Sequence, residues 1–275
     1  MIMVSKEIKK ELEVYLKQDL GKGDVTARVT PRRNCTATIT SNENCYLAGV
    51  EEVSYLFSSR KLKVKSHKKD GEKTKKNQKI LSITGENRKI LSLERMCLNI
   101  LGRMSGVATL CTEAKKKAGK TRLAVTRKTA PGFQLLDKKA AETAGVWSHR
   151  KNLFEMVLLK ENHLKFFDSI REAVAKAKKT GKKVEAEAET QKDALEAAKE
   201  NPFIIMLDDF SPKKAKETII LLRKNGFAGK IELSGGITIK NLSKYSKIGA
   251  DIISMGELTK KANMVDFSLR VVKAK

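Results

Sequence analysis

The chain has 275 residues and 57 cations, 44 lysines and 13 arginines, against 32 acids, a formal charge of +25. Its 40% hydrophobic content is enough to bury a core, which excludes a disordered tail, and no apolar run approaches the ~18 residues that span a bilayer. Cys35, Cys45, Cys97 and Cys111 form no Cys-x-x-Cys pair, which excludes a zinc knuckle or disulfide framework, and with 3 histidines any metal falls to carboxylates. The opening Met1-Ile2-Met3-Val4-Ser5-Lys6 lacks a secretory apolar stretch, so a soluble cytoplasmic protein is the expectation.

Over residues 6–18, Ile8, Leu12, Tyr15 and Leu16 recur at helical spacing, and Leu20-Gly21-Lys22-Gly23-Asp24 ends the pattern. From 34 to 90 the apolar runs are short and strand-like, at Thr36–Thr40, Lys61–Val64 and Ile80–Ile83, an α+β segment. Within it the densest lysine run, Lys61 to Lys76, alternates and then turns at Asp70-Gly71, which reads as a solvated edge hairpin. Lysines spread through the whole chain attract polyanions without forming a groove, and 5% aromatics argue against a base-stacking platform. Nucleic acid is therefore not the expected partner. A long helix is expected from Leu93 to about Lys117, with Met96, Ile100, Leu101 and Met104 on one face.

Beyond residue 120, short apolar strands alternate with helical stretches, the pattern of parallel β/α units. Strands are expected at Leu123–Thr126, Met156–Leu159, Val184–Glu187, Phe203–Leu207, Ile231–Ser234 and Asp251–Ser254. Helices are expected near 134–144, 166–179, 190–200, 212–225 and 239–248, and the alternating Val265 to Val272 reads as a strand returning to the first domain.

In a β/α barrel the site lies where strands end. Those ends carry Arg127-Lys128, Lys160, Glu187, Asp208-Asp209, Ser234-Gly235-Gly236 and Gly256. Glycine turns leave N–H groups free for a phosphate, helped by a helix N-terminus near Thr238. Glu187 and Asp208 suit Mg²⁺ held partly through water, while Arg127, Lys128, Arg150 and Lys160 suit carboxylates. The rim calls for a phosphorylated ligand with Mg²⁺ beside a polycarboxylate.

The motifs TRKTAPG at 126–132, SHR at 148–150, MVLLKENH at 156–163, VEAE at 184–187, LDDFSP at 207–212 and SGGIT at 234–238 resemble the quinolinate phosphoribosyltransferase family in order and separation. DLGKGDVT at 19–26, ERMCLN at 94–99 and RMSGVAT at 103–109 extend the resemblance over residues 8–272. It implies an α/β fold: an incomplete six-stranded parallel α/β barrel over 113–263 and an N-terminal α/β sandwich domain over 1–112, rejoined by a strand at 264–275. It also implies a homodimer or larger assembly in which the sandwich domain of one chain caps its partner's barrel. The implied reaction joins quinolinate to phosphoribosyl pyrophosphate with Mg²⁺, giving nicotinate mononucleotide, pyrophosphate and CO₂ in NAD biosynthesis.

By the same resemblance, Arg127, His149, Arg150 and Lys160 hold the pyridine carboxylates, and Arg95 reaches in from the neighbouring subunit. Lys128 lies between the carboxylates and the pyrophosphate, Glu187 and Asp208 position the ribose and the metal, and Ser234, Gly235 and Gly256 line the 5′-phosphate loop. The chain departs from the family at Phe133-Gln134, where Leu-Arg is usual, at the bulky Val146-Trp147, at Asp209 in place of asparagine and at Met96 in place of threonine. These departures bear on substrate choice more than on fold. Two other readings share the scaffold. One is a molybdenum-transport-associated paralogue using another pyridine or aromatic acid, against which Lys160 at the strand end speaks. The other is a basic nucleic-acid-binding protein on an inactive enzyme fold, against which the joint retention of Arg95, Arg127, Arg150, Lys160, Glu187 and Asp208 speaks.

Overall fold

The computed structural model describes residues 4–274; Met1, Ile2 and Met3 of the opening segment and Lys275 of the expected returning strand lie outside the described residues. The chain forms two compact units.

The first unit contains the residues up to Thr112, Ala130–Gly145 and those from Lys261 onward. Its opening helix, Lys6–Leu20, is capped by the Ser5 hydroxyl, which accepts the Ile8 N–H, and buries Ile8, Leu12 and Leu16 on the expected face. A four-stranded sheet follows in the order Phe267–Ala274, Asn34–Ser41, Lys79–Glu86, Lys63–Ser66, antiparallel throughout. The long helix Asn87–Ala118 starts directly from the sheet and runs across the expected stretch. Gly102 and Gly106 let the chain at 263–265 cross it closely: Val265 N–H donates to the Gly102 carbonyl at 3.1 Å, and a Cβ on Gly106 would collide with the Asn263 carbonyl.

Two expectations change here. The lysine-rich run is not a hairpin, because Lys63–Ser66 pairs with Lys79–Glu86 while Lys73–Thr74 pairs with Cys45–Tyr46. Nor is its turn merely solvated: the Asp70 carboxylate accepts the N–H groups of Val50 and Glu51, at 2.8 and 3.3 Å, and so caps the helix Val50–Ser59, whose preceding Gly49 has no side chain to do so. The helix Gln134–Thr143, expected within a continuous barrel domain over 113–263, groups with the first unit. The physical reason is a set of ion pairs: Asp137, fully buried, takes two bonds from Arg103 at 2.9 and 2.8 Å, and Lys139 reaches Glu51 and Glu52 at 2.8 and 2.5 Å.

The second unit, Glu113–Thr129 and Val146–Lys260, is a six-stranded parallel sheet. Its strands in chain order are Arg122–Ala124, Val157–Leu159, Val184–Ala188, Ile204–Asp208, Lys230–Ser234 and Ile252–Ser254, and they lie in the order first, sixth, fifth, fourth, third, second. Among the described residues no ladder joins the first to the second, so the barrel is incomplete. Trp147 lies along the free edge of the first strand, donating its N–H to the Leu123 carbonyl and accepting that of Val125, both at 2.9 Å.

Helices Ile170–Lys178, Gln191–Ala198 and Pro212–Lys224 start at side-chain caps on Ser169, Thr190 and Ser211 and bury small and aliphatic residues. The helix expected over 166–179 shortens to Ile170–Lys178, and a separate short helix, Glu161–Leu164, precedes it. That expected over 239–248 shrinks to Leu242–Tyr245. There the Asn241 side chain accepts the Thr238 N–H and donates to the Gly236 carbonyl, at 2.7 and 3.0 Å, a local turn that competes with helical bonding.

Candidate functional site

Alternate residues of a strand face the same side, so each barrel strand delivers an inward ladder. The lower inward layer is apolar, a buried cluster of Ala124, Met156, Ile204 and Ile252. Above it lies a cavity of about 280 Å³ lined by Arg127, Lys128, His149, Arg150, Lys160, Asp208 and Ser234 among others. All seven were singled out from sequence. Glu187, 4% exposed, binds the Lys160 ammonium through its Oε2.

The glycine positions are explained by close approach. Gly235, at φ +79°, faces Asp209 so closely that a Cβ would collide with the Asp209 backbone and carboxyl, and Asp209 itself takes φ +56° while its N–H bonds the Ser234 carbonyl. A Cβ on Gly256 would come within 3.2 Å of the Lys128 stem. The residues expected to cradle a phosphate are thus the Ser234-Gly235-Gly236 turn and the Gly256 segment. The expected helix N-terminus at Thr238 does not join them, since the helix begins only at Leu242. Arg95 is exposed on the long helix of the first unit and is not among the residues lining the cavity. Phe133 stacks on Tyr15 with ring centroids 5.7 Å apart, and the Tyr15 hydroxyl bonds the Gly132 carbonyl, which gives the Phe133 departure a packing role.

Sequence reading missed Glu185, Glu232 and Ser254. Glu185 and Glu232 are fully buried, two residues before Glu187 and Ser234 on the same inward ladders. An acid at an inward position of a buried parallel strand was the available signal. Ser254 Oγ donates to Glu232 Oε1 at 2.5 Å, and His149 Nε2 lies 3.2 Å from Glu232 Oε2 and 3.1 Å from Glu185 Oε2. Neither Glu185 oxygen finds a hydrogen bond among the described residues.

His149, Glu185 and Glu232 are spaced like metal ligands, within 4.8 Å. The other ring nitrogen decides against a metal: Nδ1 accepts the Arg150 N–H at 2.8 Å, so Nε2 carries the proton and offers no lone pair. Burial opposes charge on His149 but the two glutamates outweigh it and pull its pKa up to about 9; the Arg150 N–H works against that pull, because a doubly protonated ring cannot accept it. The geometry is that of the neutral ring with its proton on Nε2. Burial, then the charge of Glu232, push Glu185 up to about 7, with His149 and Arg150 opposing. Arg150 is shifted down from its ordinary value, first by burial and then by Arg127, with Glu185 offsetting.

His149 was expected to hold a pyridine carboxylate. Here both its ring nitrogens are engaged by the protein. Arg127, Arg150 and Lys128 remain as the cations that face the cavity, with Lys160 shared by Glu187. Two guanidiniums that share a cavity favour an anion between them, and Asp208 offers a hard oxygen donor across it.

A family model described as the C-terminal domain of quinolinate phosphoribosyl transferase matches residues 107–270, and one described as its N-terminal domain matches 24–105. The chain is 38% identical over 256 residues to the probable nicotinate-nucleotide pyrophosphorylase (carboxylating) of Archaeoglobus fulgidus, covering 91% of this chain and 98% of that one. It is 31% identical over 267 residues to the nicotinate-nucleotide pyrophosphorylase (carboxylating) of Homo sapiens, covering 94% and 90%. The solved structure of the nicotinate-nucleotide pyrophosphorylase from Francisella tularensis superimposes with a TM-score of 0.89 at 31% identity, covering 99% of this chain and 98% of that one. With both domain models matched in order and relatives similar from end to end, the chain belongs to the quinolinate phosphoribosyl transferase family.

Proposed function

We propose that this protein is a decarboxylating quinolinate phosphoribosyltransferase, forming nicotinate mononucleotide, pyrophosphate and CO₂ from quinolinate and phosphoribosyl pyrophosphate, in the cytoplasm, as a step of NAD biosynthesis. The observation that supports it most is the single cavity in which Arg127, Arg150 and Lys160 face Asp208 and the Ser234 turn. A diacid and a sugar diphosphate need those two kinds of partner side by side.

Arg127 and Arg150 hold the two carboxylates and aim the ring nitrogen at the ribosyl carbon. As pyrophosphate leaves, positive charge grows on the sugar, beside Glu187 and Asp208, and negative charge grows on the leaving group, beside Lys128. The nitrogen becomes quaternary, and the neighbouring carboxylate can then depart as CO₂ because the pyridinium stabilises the electron pair left behind. No protein nucleophile is required. Lys160, bound to Glu187 in the structure, is shared between that acid and the substrate carboxylates. The donor set fits Mg²⁺: Asp208 and Glu187 would hold it through carboxylate oxygens and water, and its chemistry would be neutralisation of the pyrophosphate charge. Arg95 would complete the site from a neighbouring subunit of a homodimer.

The test is direct. Purified protein with quinolinate, phosphoribosyl pyrophosphate and Mg²⁺ should release the mononucleotide and CO₂ in equal amounts. Turnover of nicotinate or another monoacid, with quinolinate inert, would overturn the substrate assignment.

A further inference from the structure

Two buried acids, Glu185 outside the cavity lining and Glu232 within it, play no part in the steps above. Charge in a core is costly unless its geometry is used, and apolar residues of similar size would pack there without that cost. What Glu185 and Glu232 converge on is one imidazole. A chain of contacts runs through it: Ser254 Oγ to Glu232, Glu232 to the Nε2–H of His149, and His149 Nδ1 to the N–H of Arg150, which lines the cavity and whose guanidinium is tied to the Met156 carbonyl, just before the second barrel strand, at 3.3 Å. His149 takes φ +55°, a left-handed conformation that a non-glycine residue keeps only when its surroundings enforce it.

We propose that Glu185 and Glu232, supported by Ser254, are positioning residues for the dicarboxylate substrate: they hold His149 as its Nε2–H form and thereby fix the backbone and guanidinium of Arg150. This rests on the phosphoribosyltransferase reading above. Glu232 acts by hydrogen bond, as the acceptor of the ring N–H. Glu185 acts on the ring, its Oε2 lying 3.1 Å from the same Nε2 and flanking it together with Glu232 in the cluster. Glu185 does not line the cavity and Glu232 lines it along with His149 and Arg150, so their loss should appear in diacid binding and spare the sugar diphosphate.

Steady-state kinetics with each substrate varied, joined to calorimetric titration with quinolinate alone, tests this. Glu232→Leu should raise KM and Kd for quinolinate about tenfold or more, with KM for phosphoribosyl pyrophosphate changed by less than about twofold. Glu232→Gln keeps an acceptor for the N–H and should return both quinolinate constants to within about threefold of wild type. Ser254→Ala and Glu185→Gln should move quinolinate binding the same way by about two- to fivefold. A folded Glu232→Leu protein with wild-type quinolinate binding overturns the proposal. So does equal impairment toward both substrates in the Leu and Gln variants, the pattern of a general packing defect. If Glu232→Leu does not fold, unchanged quinolinate constants in both Ser254→Ala and Glu185→Gln overturn it. Wild-type protein that turns over no quinolinate would instead sink the parent reading, so the two failures are distinct.

Discussion

Arg127 and Arg150 face one cavity, and the charge of the first makes the charge of the second harder to hold. A dianion relieves that conflict and a monoanion relieves it less. Arg127→Ala should therefore lower kcat/KM for quinolinate by about a hundredfold or more, near 3 kcal/mol, while the far-ultraviolet circular dichroism and melting point stay close to wild type. A near-normal rate would remove Arg127 from the site. The cysteines give a second expectation. All four are free and buried, and burial pushes Cys45 up to about 11 and Cys111 up to about 12, with Cys97 higher still. The thiolate is the reactive form, and a raised pKa leaves little of it at pH 8. Labelling by a thiol reagent should be slow in the native protein, rise with pH, and reach all four residues only after denaturation. Rapid native labelling at pH 8 would contradict the burial. At this scale the strand-end residues were legible because a charge or glycine after an apolar run stands out. Glu185 and Glu232 were not, because residues within a run of Val184-Glu185-Ala186-Glu187 or Ile231-Glu232-Leu233 acquire their meaning only from what they face.

At the scale of elements, periodicity placed the barrel strands to within a few residues, since a buried parallel strand is a short apolar run whatever its neighbours. It failed where side chains compete with the backbone. The Asn241 turn truncates the helix after the fifth strand, and Asp70, read as a hairpin tip, is the cap of a distant helix. The close crossing at Gly106 is testable. Adding a methyl group there would force it onto the Asn263 carbonyl, so Gly106→Ala should cost about 2 kcal/mol or more despite alanine's better helix propensity. Urea unfolding measures this, and an unchanged or raised midpoint would refute the crossing.

For the molecule as a whole, the two units are not consecutive in the chain: residues 130–145 and the C-terminal strand return to the first. Arg95 belongs to that unit and Lys160 to the other. If a subunit lends Arg95 to its neighbour, inactive Arg95→Ala mixed with inactive Lys160→Ala should regain about a quarter of wild-type activity, since a random mixture assembles one intact site in half of its dimers. No recovery despite subunit exchange shown by mass spectrometry would dismiss the shared site.

Apolar spacing, glycine turns and the ordered motifs determined the fold class, the succession of strands and most of the cavity wall, because these depend on local steric rules and on which residue types end a strand. The tertiary structure alone decided which unit claims residues 130–145, that both nitrogens of His149 are engaged, and that two acids lie beneath it. Those outcomes depend on contacts between segments far apart in the chain, Arg103 with Asp137 and His149 with Glu185 and Glu232, whose energies exist only once the barrel has brought the partners together.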